Sequence, residues 1–157
     1  MKTIQGPSLH LAQFAADTAP FNTLPAIAEW AAGMGFKALQ IPAWDARLFD
    51  VEQAAHSQQY CDELVAMLAS HGLVISELTT HLLGQLVAVH PAYDALCDSF
   101  APAHLHGQPA ARTAWAIEQV KLAASITPGT PPAFAITLQL RLDRANNFAY
   151  SLSIDKQ

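Results

Sequence analysis

A chain of 157 residues, 52% of them apolar, is long and hydrophobic enough to build one ordinary domain around a real core, which excludes a disordered tail. Eight basic and 13 acidic side chains leave a net charge of −5, with no cluster of Lys or Arg, and so argue against a nucleic-acid partner. No apolar run approaches a membrane span, and Gln5, Gly6, His10, Gln13 and Asp17 interrupt the N-terminal stretch before a signal-peptide core can form. Cys61 and Cys97 lack CxxC spacing and read as reduced thiols of a cytoplasmic protein rather than as a disulfide or a zinc pair.

In chain order, SLHLAQF from Ser8 to Phe14 follows a Gly-Pro breaker and alternates loosely, which suits a first strand ending near Phe14. Asn22 or Thr23 offers a helix cap, Pro25 fits the first turn, and Leu24, Ile27, Ala28, Ala31 and Met34 share a helical face that Gly35 closes. Phe36 to Ile41 reads as a second strand, stopped by Pro42 so that Ala43, Trp44 and Asp45 are presented from its end. Asp50 caps a short helix at Val51 to Ala55, and Tyr60, Leu64, Met67, Leu68 and His71 mark a longer one that Gly72 ends.

The organising stretch is Leu73 to His90. Val74, Ile75 and Leu78 form a buried strand whose far end delivers His81, Gln85 and His90 into a connection of roughly 25 residues, long enough to be either functional or disordered. A strand tip with a long polar loop is where α/β proteins place their chemistry. A third helix follows from about Pro109 to Ala124, with Ala114, Ile117 and Val120 as inward positions. Strands alternating with helices imply parallel pairing through right-handed crossovers, and the spacing suits a barrel or an open doubly wound sheet equally. No Gly-rich phosphate fingerprint follows the first strand.

From Ser125 the chain changes character. Phe134, Ile136, Leu138 and Leu140 alternate with Ala135, Thr137, Gln139 and Arg141, the pattern of a strand wet on one side, and Phe148 to Ile154 supplies a second run to complete a hairpin.

Taken together, LAQF at Leu11 to Phe14, EWAAGMGFKALQIPAWDARLFD at Glu29 to Asp50 and THLLGQLVAVHPAYD at Thr80 to Asp94 resemble the first half of a sugar phosphate isomerase/epimerase of the xylose-isomerase-like TIM-barrel family. The resemblance covers about residues 2–124. It implies an α/β fold, the first three to four βα units of a (β/α)8 TIM barrel, followed at 125–157 by a divergent, hairpin-like tail. It also implies proton transfer between adjacent carbons of a small sugar, sugar phosphate or polyol, assisted by a divalent metal such as manganese, magnesium or zinc. The metal ligands of that family belong to strands beyond the resemblance, so no metal ligand is assigned here. A truncated or frame-shifted chain, inactive as an enzyme, is therefore the expectation beside an active one. The alternative is a catalytically inactive fragment or ligand-binding half-barrel that self-associates through its open sheet edge as a homo-oligomer.

Within that reading His81, at a strand's carboxyl end, is the candidate catalytic residue; its plainer role is to cap its own loop. Asp45 with Trp44 pairs a hydrogen-bonding carboxylate with an aromatic wall for a sugar's apolar face, against a helix-entry acid and a packed indole. Gln13 and Gln85 are further, weaker substrate-binding candidates, since a buried amide more commonly just satisfies backbone groups. His90, before Pro91, reads as structural. His104 and His106, with Asp98 nearby, raise a weak metal reading against a solvated loop. Trp30, Tyr93 and Trp115 are explained by packing. No GxSxG, Walker-type loop or HExxH is present.

Overall fold

The computed structural model describes residues 5–126, 135–141 and 149–154, the last two stretches by their backbone alone. The first strand, β1 (Ser8–His10), is shorter than its alternation suggests, because the chain tightens at once into a 3-10 turn at Leu11–Gln13. Phe14 and Ala15 both donate backbone N–H groups to Leu11 O, at 2.9 and 3.0 Å, and the turn buries Leu11 completely behind Leu9. Alternation over seven residues is thus met by a strand and a turn that bury the same two leucines.

The helix α1 (Leu24–Gly33) buries Leu24, Ile27, Ala28 and Ala31 and carries Pro25 in its first turn. Its exit satisfies two carbonyls at once: Phe36 N donates to Ala31 O at 3.1 Å and Gly35 N to Ala32 O at 3.0 Å, with Gly35 at φ +89°. The helix α3 (Gln58–Ser70) ends identically, with Leu73 N on Leu68 O, Gly72 N on Ala69 O and Gly72 at φ +71°. Each left-handed glycine feeds a strand, β2 (Ala38–Pro42) after the first and β3 (Val74–Thr79) after the second. Between β2 and α3, Asp50 caps α2 (Val51–His56) by accepting from Gln53 N at 2.9 Å.

Strands β1, β2 and β3 pair in parallel, and a register shift between Leu39 and Gln40 sets which side chains face which layer. Leu39 pairs with Ile75 but Gln40 pairs with Glu77, so Ser76 is passed over and its hydroxyl bonds Leu39 O at 3.1 Å. Simple alternation would put Ile75 and Glu77 on one face. The irregularity instead returns Leu78 to the core beside Ile75 and turns Glu77 to the opposite face, the kind of re-aiming for which bulges are used. Leu9, Leu39, Ile41, Ile75 and Leu78 then pack on Ile27, Leu64 and Leu68 of the helices as one hydrophobic cluster. Each such side chain contributes about 1.5–3 kcal/mol on burial.

The partial (β/α)8 barrel expected from the resemblance is not what these strands form. The sheet is open, with order β1-β2-β3-β4-β5: β4 (Ala135–Arg141) joins β3 in parallel through Glu77–Thr79, and β5 (Ala149–Ile154) runs antiparallel to β4. A barrel progresses by repeated parallel crossovers, and an antiparallel partner on β4 interrupts that progression. The expected sidedness of Phe134, Ile136, Leu138 and Leu140 concerns side chains outside the described residues.

The long connection after β3 is a chain of short helical pieces. It comprises α4 (His81–Gln85), 3-10 turns at Pro91–Tyr93, Asp98–Phe100 and Ala103–Leu105, and α5 (Asp94–Cys97), before α6 (Pro109–Ser125). The buried stripe of α6 is Arg112, Ala116 and Ala123, whereas the expected inward residue Ala114 is exposed and Ile117 and Val120 are half-buried. A search for apolar spacing misses this face because its first member is an arginine. The guanidinium is fully buried, donating to Asp94 Oδ1 and Asp98 Oδ1 at 2.5 Å each and to Asp94 O at 2.9 Å. Among the described residues no helix is long and apolar enough to cross a membrane.

Candidate functional site

The register that turns Glu77 away from the core also aligns it with two other polar side chains. His10 of β1 pairs with Gln40 of β2, and Gln40 with Glu77 of β3, so the three stand in one row across the sheet. Their side chains are bonded in sequence: His10 Nδ1 lies 2.5 Å from Gln40 Oε1, and Gln40 Nε2 donates to Glu77 Oε2. Glu77 Oε1 is buried and has no hydrogen-bond partner among the described residues. A buried acceptor left unmatched costs roughly 1–3 kcal/mol, which makes this oxygen the site's clearest demand for a donor.

His81 and Trp44 complete the cluster. Ala43 N donates to Thr79 O at 2.9 Å, which ties the ends of β2 and β3 together and fixes the chain just before Trp44. The indole meets the His81 ring edge to face with centroids 4.4 Å apart, and His81 in turn lies 5.4 Å from the His10 ring. Burial pushes the His81 imidazole below its ordinary pKa, and the neighbouring His10 adds to this while Glu77 opposes it. The result is an imidazole biased towards its neutral form beside an aromatic face, a carboxylate and a second imidazole.

The other residues singled out from the sequence lie apart from this row. Gln13 is exposed at the end of the 3-10 turn after β1, and Gln85, half-buried, ends α4. Asp45 is occupied: Arg47 binds it through Nε at 2.9 Å, Nη2 at 2.7 Å and its backbone N at 3.1 Å, and also reaches Asp17. The Arg47 hydrogen bonds hold the Asp45 carboxyl below its usual range despite partial burial. His90 accepts from Ala92 N at 3.2 Å and stacks at an angle on Tyr93, capping the turn it precedes. His106 bonds Ala101 O at 3.0 Å, and Asp98 serves Arg112 and Gly107 N. Among the described residues no group of three His, Cys, Asp or Glu side chains is arranged to hold a metal.

Sequence reasoning found His81 and Trp44 but missed His10, Gln40 and Glu77. Two of them sit inside strands at positions where alternation is read only for apolar content, and the third is exposed to the site only by the register shift. The signal that was present is that each of three successive parallel strands carries a polar residue with hydrogen-bonding reach among apolar neighbours, His10 in SLH, Gln40 in ALQIP and Glu77 in VISELT. Comparison of the chain with protein-family models and with curated proteins finds no match to either.

Proposed function

We propose that the carboxyl end of this sheet binds a small neutral sugar or polyol, with Trp44 as the wall for its apolar face and Glu77, His10 and His81 as hydrogen-bonding partners for its hydroxyls. The observation that carries the reading is the buried, unmatched Glu77 Oε1 within a cluster that also holds an indole and two imidazoles. Hydroxyl donors meet that oxygen, whereas a phosphate brings more negative charge to a carboxylate. The charged neighbours that shift His81 are His10 and Glu77, with no Lys or Arg among them. Arg47 and Arg112, the arginines whose side chains are described, are already held by two aspartates each. A free sugar therefore fits better than a sugar phosphate.

Isomerisation is a second reading, favoured by the presence of a carboxylate beside a histidine biased towards neutrality. In it Glu77 takes a proton from the carbon next to the carbonyl of an open-chain sugar while His81 gives one to the carbonyl oxygen, forming an enediol; reversal at the adjacent carbons returns both protons. The divalent metal implied by the resemblance finds no group of three His, Cys, Asp or Glu side chains arranged to hold it among the described residues. No step is assigned to it. Cys61 and Cys97 are free thiols, in keeping with a reducing compartment such as the cytoplasm.

Titration calorimetry of the purified chain with aldoses, ketoses, polyols and their phosphate esters tests the binding reading, with saturable uptake of a neutral member expected. Absence of heat with every member, under conditions where the chain is folded, would count against it. Interconversion of aldose and ketose, followed with and without added manganese, tests the second reading.

A further inference from the structure

The row of His10, Gln40 and Glu77 determines where the proton sits on an imidazole. An ionised carboxylate only accepts hydrogen bonds, so the amide nitrogen of Gln40 must face Glu77 Oε2 and its oxygen must face His10. That oxygen also only accepts, and it lies 2.5 Å from His10 Nδ1, so Nδ1 must carry the hydrogen. We propose that Gln40, oriented by Glu77, holds neutral His10 as its Nδ1–H tautomer and so leaves Nε2 as a proton acceptor for a ligand hydroxyl. Gln40 is then a positioning residue, acting through His10, and Glu77 has two duties: one oxygen orients the amide and the other stays open to the ligand.

The tautomer follows from the hydrogen-bonded row alone; only the ligand hydroxyl rests on the sugar-binding reading. The assignment opposes the usual preference of an unconstrained imidazole, which carries its hydrogen on Nε2, so an ordinary side chain in an open site gives the contrary result. The strands supply the constraint: His10, Gln40 and Glu77 are fixed in register by parallel pairing, and the amide has no room for a different order without two like groups facing each other.

Long-range nitrogen–proton correlation spectra of histidine-labelled protein, recorded above the histidine titration range and assigned with His10→Gln, read the tautomer directly. The wild-type chain is expected to show His10 with hydrogen on Nδ1. Gln40→Met removes the acceptor and is expected to shift the ring towards Nε2–H, and Glu77→Gln, which no longer dictates the amide's orientation, to give a mixture. With xylitol and fructose as probes in calorimetry, Gln40→Met is expected to weaken binding about tenfold. A wild-type spectrum with hydrogen on Nε2, or one unchanged by both substitutions, overturns the inference whether or not a polyol binds. An Nδ1–H ring in a chain that takes up neither probe supports the tautomer assignment and removes the sugar-binding reading instead.

Discussion

Arg112 and Asp94 are joined at 2.5 Å between a fully buried guanidinium and a carboxylate that keeps about a third of its surface in water. The bond spans 18 positions of sequence and, with Asp98, fastens the connection after β3 to α6. Burial alone lowers the tendency of Arg112 to stay charged, but the hydrogen bonds and charges of the two aspartates more than offset it. Removing the arginine leaves both carboxylates facing an apolar hole. Arg112→Met is expected to cost about 3 kcal/mol, towards the low end for breaking a buried pair because the carboxylates remain partly solvated. Arg112→Lys keeps the charge but loses the planar fork and is expected to cost less than half as much. Urea unfolding of the two variants checks both, and equal stability of wild type and Arg112→Met would remove the clasp as a structural element.

The same clasp explains what was legible in the sequence and what was not. Glycines at 35 and 72, the Asp50 cap and the helical spacing of Leu24, Ile27, Ala28 and Ala31 were readable because each depends on residues a few positions apart. Arg112 was hidden because its burial depends on two carboxylates 14 and 18 residues earlier, which turn a charge into an interior residue. Glu77 was hidden for a similar reason: its face is set by a shift in pairing with a strand 37 residues away, and side-chain period alone assigns it to the core. Trp44 and His81 were found because residues leaving a strand's end need no register to be placed.

Glu77 is expected to trade stability against binding. Its Oε1 is buried and unmatched, so Glu77→Gln removes an uncompensated charge and is expected to stabilise the unliganded chain by about 1 kcal/mol. The same substitution replaces half of the acceptor capacity with a donor and is expected to lower affinity for a polyol. Thermal unfolding in the absence of ligand, paired with calorimetry, reads both; a variant less stable than wild type would show that the bond from Gln40 outweighs the unmatched oxygen.

Trp44 offers an aromatic face beside His81, and its removal is expected to act on the ligand more than on the fold, since the residue is half-buried. Trp44→Ala is expected to weaken sugar binding about tenfold, the scale of one aromatic contact, while Trp44→Phe retains most of the affinity. Calorimetry with a neutral sugar separates the cases, and equal affinity in Trp44→Ala would place the ligand elsewhere.

The pH dependence of stability carries the signature of His81. Its pKa in the folded chain lies below the ordinary 6.5, through burial first and the nearby His10 second, with Glu77 opposing both. Below 6.5 the unfolded chain takes up a proton that the folded chain resists, so the contribution is intact above that value and declines as pH falls towards the folded pKa. The urea midpoint of the wild-type chain is therefore expected to drop between about pH 7.5 and about pH 5.5, and that of His81→Asn to drop less, because one of the resisting groups has gone. His10 disfavours a proton on His81 and Glu77 favours one, so Glu77→Gln is expected to steepen the wild-type decline. If His81→Asn and wild type fall in parallel over the interval, the imidazole is not held neutral by its surroundings.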